Sequence, residues 1–77
     1  MSKPTTTYTL APRNDNWDDL MELLEDLRGY TPSEDAQLYP VVQAIAEGRS
    51  TQLKVYSEDA KVFVDHMREF RIDATPA

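Results

Sequence analysis

Two kinds of periodicity alternate along the chain. Thr5-Thr6-Thr7-Tyr8-Thr9-Leu10 is rich in β-branched and aromatic residues, which fit a pleated surface. Its alternation puts Tyr8 and Leu10 on one face and Thr7 and Thr9 on the other, predicting a first strand. Ala11-Pro12-Arg13-Asn14-Asp15 ends it, because proline cannot donate to a ladder. Thr51 to Tyr56 repeats the pattern with Leu53 and Val55 on one face, predicting a second strand.

Between the strands the period lengthens. Trp17, Leu20, Met21, Leu24 and Leu27 recur at the spacing of one helical face. Asp15 or Asn16 can cap this helix, and Asp18 and Asp19 suit the positive end of its dipole. Arg28 falls in its last turn, and Gly29 is placed for a left-handed C-terminal cap. Thr31-Pro32-Ser33-Glu34 then reads as a capping box opening a second helix, with Thr31 as the cap. Leu38, Val41, Val42 and Ile45 form its stripe, and Gly48 stops it. Pro40 removes an amide inside that stripe. The helix therefore kinks near residues 36–39, or ends there and a new helix begins at Pro40.

Ser57 is placed to cap a third helix, with Glu58 and Asp59 in its first turn. Ala60, Phe63, Val64, Met67 and Phe70 line its apolar face, and Lys61–Asp65 and Asp65–Arg68 can pair along it. Ile72 to Ala77 reads as a tail or as a brief third strand, with Phe70, Ile72 and Ala74 on one face.

These elements predict a small α/β (α+β) domain, β-α-α-β-α, with a two- or three-stranded sheet packed by helices. One domain spans 1–77, with 1–4 and 74–77 as flexible tails. The expected core is Trp17, Leu20, Leu24, Leu38, Val41, Ile45, Leu53, Val55, Phe63, Met67 and Phe70. If the two strands are parallel neighbours, their connection is a right-handed crossover. A sheet this small leaves an exposed edge, which invites a homodimer.

Composition narrows the chemistry. A chain of 77 residues buries only about 60% of the surface that its unfolded form exposes. With no cysteine and a single histidine, neither a disulfide nor a His/Cys zinc site is available to staple it. Fourteen acids against eight bases give a net charge of −6, which disfavours direct contact with nucleic acid or an anionic membrane. The N-terminal residues lack the apolar run of a signal peptide, and Leu38 to Ala46 is far too short to span a bilayer. A soluble, cytoplasmic protein is expected, in the host cytoplasm if the protein is viral.

The candidate site is the first helix. At about 100° per residue, Asp18, Asp19, Glu22, Glu25 and Asp26 share one arc, and no base interrupts the run from Asp15 to Asp26. Like charges at i,i+4 repel, so this face carries a small cost that a basic protein partner relieves. Tyr30 and Tyr39 are the candidate aromatic contacts beside it. In size and charge the chain resembles small acidic viral inhibitors of host restriction or CRISPR systems. That resemblance implies a phage or mobile-element inhibitor whose carboxylates mimic nucleic-acid phosphates.

Other chemistries find little here. There is no D-x-D-x-D-G calcium loop, no G-x-S-x-G elbow and no glycine-rich phosphate cradle. His66 reads as a partly buried or surface histidine. The expectation is a non-enzymatic binding module without cofactor or metal. The alternative is an assembly protein acting through homo-oligomerisation with an inert acidic surface. Leu23 and Val62, which lie off the expected core arcs, are candidates for its second, intermolecular surface.

Overall fold

A computed structural model of the chain describes residues 3–13 and 20–77. The strands are β1 (Thr5–Pro12), β2 (Thr51–Tyr56) and β3 (Ile72–Pro76), and the helices are α1 (Leu20–Arg28), α2 (Asp35–Ala46) and α3 (Ala60–Glu69). The fold is α+β in the order β-α-α-β-α-β. The third strand forms, so the stretch expected to be a tail from Ala74 onward is strand through Pro76, with Ala74 buried. Trp17, Asp18, Asp19 and the expected caps Asp15 and Asn16 lie outside the described residues.

The sheet order is β2-β1-β3, and β1 is antiparallel to both neighbours. β2 and β3 therefore run parallel to each other with β1 between them, joined through α3 as a split β-α-β unit. The helical pair α1–α2 connects antiparallel neighbours, so the crossover condition applies to α3 instead.

The ladder explains where prolines are tolerated. Arg13 N donates to Arg71 O and Ala77 N to Thr7 O, so odd residues of β1 bond β3 and even residues bond β2. Pro12 faces the β2 side, but the pairing with β2 ends at Leu10–Thr51, so no ladder bond is lost. Pro76 sits opposite Tyr8 and points outward from the β3 edge, where its missing amide costs nothing in the sheet.

One face of the sheet is dry. Tyr8, Leu10, Leu53, Val55, Ile72 and Ala74 point at the helices and are buried, while Thr5, Gln52, Lys54 and Thr75 face water. Leu24, Leu27, Leu38, Val41, Ile45, Phe63 and Met67 complete the core from the helical side, and Leu20 and Phe70 pack at its margin. Leu23 corrects the sequence reading: it is fully buried, whereas Met21 is 64% exposed. The buried set of α1 is Leu23, Leu24 and Leu27 with Leu20 against it, an i, i+3, i+4, i+7 stripe centred one step away from the arc that Met21 would define.

The helix ends also differ in detail from expectation. Thr31 is buried, and its hydroxyl accepts from the Ser33 amide at 3.1 Å, closing a local turn instead of capping α2. The capping box forms three residues later, between Glu34 and Gln37, with Gln37 Oε1 accepting the Glu34 amide at 3.1 Å. α2 then runs through Pro40 as one element. It ends in a Schellman motif: Arg49 N donates to Ala44 O, Gly48 N donates to Ile45 O, and Gly48 is left-handed at φ 76°. Gly29 is not left-handed; its amide bonds Asp26 O at 3.2 Å in a tightened last turn. Ser57 opens a 3-10 turn (Ser57–Asp59) ahead of α3, and its hydroxyl bonds Thr6 Oγ1 at 2.7 Å.

Candidate functional site

The acidic arc of α1 is split by its neighbours. Asp26 lies on the flank facing α3, where its carboxylate stands 3.2 Å from His66 Nε2. Arg28 lies on the flank facing α2 and grips Asp35 with two bonds, Nε at 2.8 Å and Nη2 at 2.6 Å. That fork geometry occupies both carboxylate oxygens of Asp35. Glu22 and Glu25 are exposed between the two flanks.

His66 joins two of the expected contact residues. Tyr30 Oη lies 2.8 Å from His66 Nδ1, opposite the nitrogen that meets Asp26. An ionised carboxylate only accepts, so the Nε2 proton points to Asp26, and the tautomer and charge of the ring set the direction of the Tyr30 Oη–Nδ1 bond. The pair is set in a chain of rings. Tyr8 tilts on Phe63 at 5.7 Å between centroids, and Phe63 meets Tyr30 edge-on at 5.4 Å. His66 stacks on Phe70 at 5.5 Å. Sequence alone carried a signal for this: Phe63, His66, Met67 and Phe70 are spaced i, i+3, i+4, i+7. A residue in that stripe faces the protein, and here it faces α1.

Tyr30 is accordingly a half-buried strut between α1 and α3, while Tyr39 is the exposed aromatic, 57% accessible. Burial, and then the carboxylates of Asp26, Asp59 and Glu69, push the Tyr30 phenol above the ordinary tyrosine range. Those three acids come from α1, from the 3-10 turn and from α3. The negative field that the sequence places on one helix therefore extends over three elements around Tyr30 and His66.

Four of the eight bases are held elsewhere. Lys3 pairs with Glu58, Arg13 with Asp73, Arg49 with Glu47, and Arg68 with Asp65 at 3.9 Å. Among the described residues, Glu25, Asp59 and Glu69 form no ion pair, although the charge of Asp59 acts on Lys3 and that of Glu25 on Arg28. Lys3, Arg13 and Arg28 are each held more firmly protonated by hydrogen bonds to their carboxylates, and Asp73 is lowered in turn by Arg13.

Of the two residues expected to form a second, intermolecular surface, only Val62 is exposed, at 59%; Leu23 belongs to the core. An open groove of about 400 Å³ runs between α2 and the edge of β2, lined by Pro32, Ser33, Gln37, Val41, Gln52, Leu53 and Lys54. Among the described residues no group of three or more His, Cys, Asp or Glu side chains is arranged to hold a metal ion, and no helix is long and apolar enough to cross a membrane. No family model, curated protein or solved structure matches the chain.

Proposed function

We propose that this is a protein-binding module that docks the acidic surface around Tyr30 and His66 onto a Lys/Arg-rich protein surface. The observation that carries the reading is the Asp26–His66–Tyr30 contact between α1 and α3, at 3.2 Å and 2.8 Å, with the charges of Asp59 and Glu69 also acting on the Tyr30 phenol. These like charges oppose folding by mutual repulsion, and a cationic partner offsets it. Glu22 and Glu25 extend the surface along α1, and the exposed ring of Tyr39 supplies an apolar contact near Arg28. In its sharper form the proposal is an inhibitor of a nucleic-acid-binding complex, with carboxylates in the places of phosphates. A protein of this kind acts by occupying a groove and needs no catalytic group.

Titration with a blocked dodecapeptide of alternating Arg and Ala tests the surface. Binding is expected to weaken steeply between low and moderate salt, because exposed charges are screened beyond about 10 Å at 0.1 M. The triple variant Glu25→Lys, Asp59→Lys, Glu69→Lys should lose that binding. The control triple Glu47→Lys, Asp65→Lys, Asp73→Lys carries the same change in net charge and should retain most of it. Equal losses in the two variants would show that only net charge matters and would end the proposal.

A further inference from the structure

The two edges of the sheet are built differently. On β3 the outward backbone positions are Ile72, Ala74 and Pro76, so that edge ends in a residue without an amide. Proline at an outward position blunts strand addition. On β2 the outward positions are Gln52, Lys54 and Tyr56. The Tyr56 amide already donates to the Tyr30 carbonyl at 2.8 Å, so this edge accepts backbone from outside the sheet at one end. Among the described residues, no backbone group bonds Gln52 or Lys54 from the outer side.

The groove between α2 and β2 opens beside that stretch, and its floor is Val41 and Leu53. Side chains of an added strand alternate in step with those of β2. A residue beside Leu53 therefore enters the groove, and its two neighbours lie on the water-facing side with Gln52 and Lys54. Lys54 has no ion pair among the described residues, and no carboxylate lines the groove. In a chain of net charge −6 this is a local site for an acid. A carboxylate directly across from Lys54 gains cross-strand attraction.

We propose that the β2 edge binds an extended segment of another protein by strand addition, with a Val- or Ile-sized side chain in the groove and an Asp or Glu beside Lys54. The four backbone groups of Gln52 and Lys54 supply the main-chain bonds, and the groove and Lys54 supply the preference. This surface is distinct from the acidic one around Tyr30 and is tested independently of it.

The probe is a blocked pentapeptide, Glu-Val-Glu-Val-Glu, titrated into the isotopically labelled full chain and followed by amide chemical shifts. Shifts confined to β2, Gln37 and Val41, with slowed exchange of the Gln52 and Lys54 amides, are expected. Gln52→Pro should weaken binding at least about tenfold while leaving the circular dichroism spectrum unchanged, since β3 already holds a proline, Pro76, at an outward position. Lys54→Glu should reverse the preference towards Lys-Val-Lys-Val-Lys without altering the fold. Undiminished binding by both variants would overturn the proposal, as would the absence of any shift at millimolar peptide. A dimer that Gln52→Pro dissolves, with no peptide bound, would place a second copy at this edge and overturn it equally.

Discussion

Replacing Leu23 and Met21 separately by alanine distinguishes two ways of turning α1. Leu23 is fully buried against the core and Met21 is 64% exposed, although the two are only two positions apart. Truncating a fully buried leucine removes its transfer energy and leaves a cavity, together about 2–5 kcal/mol. Truncating an exposed methionine changes little, within about 0.5 kcal/mol. A domain of this length has a total stability of roughly 4–12 kcal/mol, so Leu23→Ala consumes a large share of it. At about 4–8 °C per kcal/mol, a loss near 3 kcal/mol lowers Tm by roughly 12–24 °C. Urea unfolding at two protein concentrations measures this directly and also detects any linked dissociation. A cost for Leu23→Ala below about 0.5 kcal/mol, or one smaller than that of Met21→Ala, would mean that α1 presents a different face to the core. The acidic surface described above would then be misplaced by the same rotation.

Two further predictions concern single backbone and ionisable positions. Gly48→Ala forces a Cβ into left-handed geometry at φ 76° and should cost about 1 kcal/mol. Gly29→Ala, where the nearest non-local atom to the added Cβ is Asp26 O at 3.5 Å, should be neutral or slightly stabilising; parallel thermal melts compare the two. Tyr30 has a phenol raised above the ordinary tyrosine value of about 10 by burial and three carboxylates. The unfolded chain therefore loses this proton first on alkalinisation, and the stability it contributes is complete below pH ~10 and declines as pH rises through the folded value. The difference between the ultraviolet titrations of the wild type and Tyr30→Phe should give a transition above the ordinary tyrosine value; a difference transition at or below that value would contradict the placement of that ring.

How far each feature is legible in the sequence follows from how local it is. Alternation in Tyr8–Leu10 and Leu53–Val55 needs only adjacent residues to declare a face, and both strands form as the pattern predicts. Ile72 and Ala74 carried the same alternation, but five residues at the end of a helix do not distinguish a strand from a tail until a partner strand is in place. The turn of α1 about its axis was less legible, because Met21 and Leu23 are equally apolar and only the positions of α2 and α3 decide between them. Thr31 satisfied the spacing of a capping box, yet the box forms at Glu34, and the Thr31 hydroxyl accepts from the Ser33 amide instead. At the candidate site, the acids of α1 were visible as a run. Their extension to Asp59 and Glu69 was not, since it depends on the chain returning past Tyr30 more than twenty-five residues later.

The first strand of the chain is also the central one of the sheet, and this has a consequence for folding. β1 pairs with residues 51–56 on one side and 72–76 on the other, so Tyr8 waits for both Leu53 and Pro76. During synthesis β1 has no partner until residue 56 has emerged, and lacks its second until residue 76 has. Its Thr-rich run is then the segment most open to wrong pairing, and the helical hairpin between β1 and β2 is the part that can form while it waits. Contacts so distant in sequence slow the search for the native fold relative to a helical bundle of the same length. Deleting residues 72–77 should therefore do more than trim an edge: it would remove the strand that bonds Thr9 and Ala11 on their second side, leaving a two-stranded sheet of marginal stability.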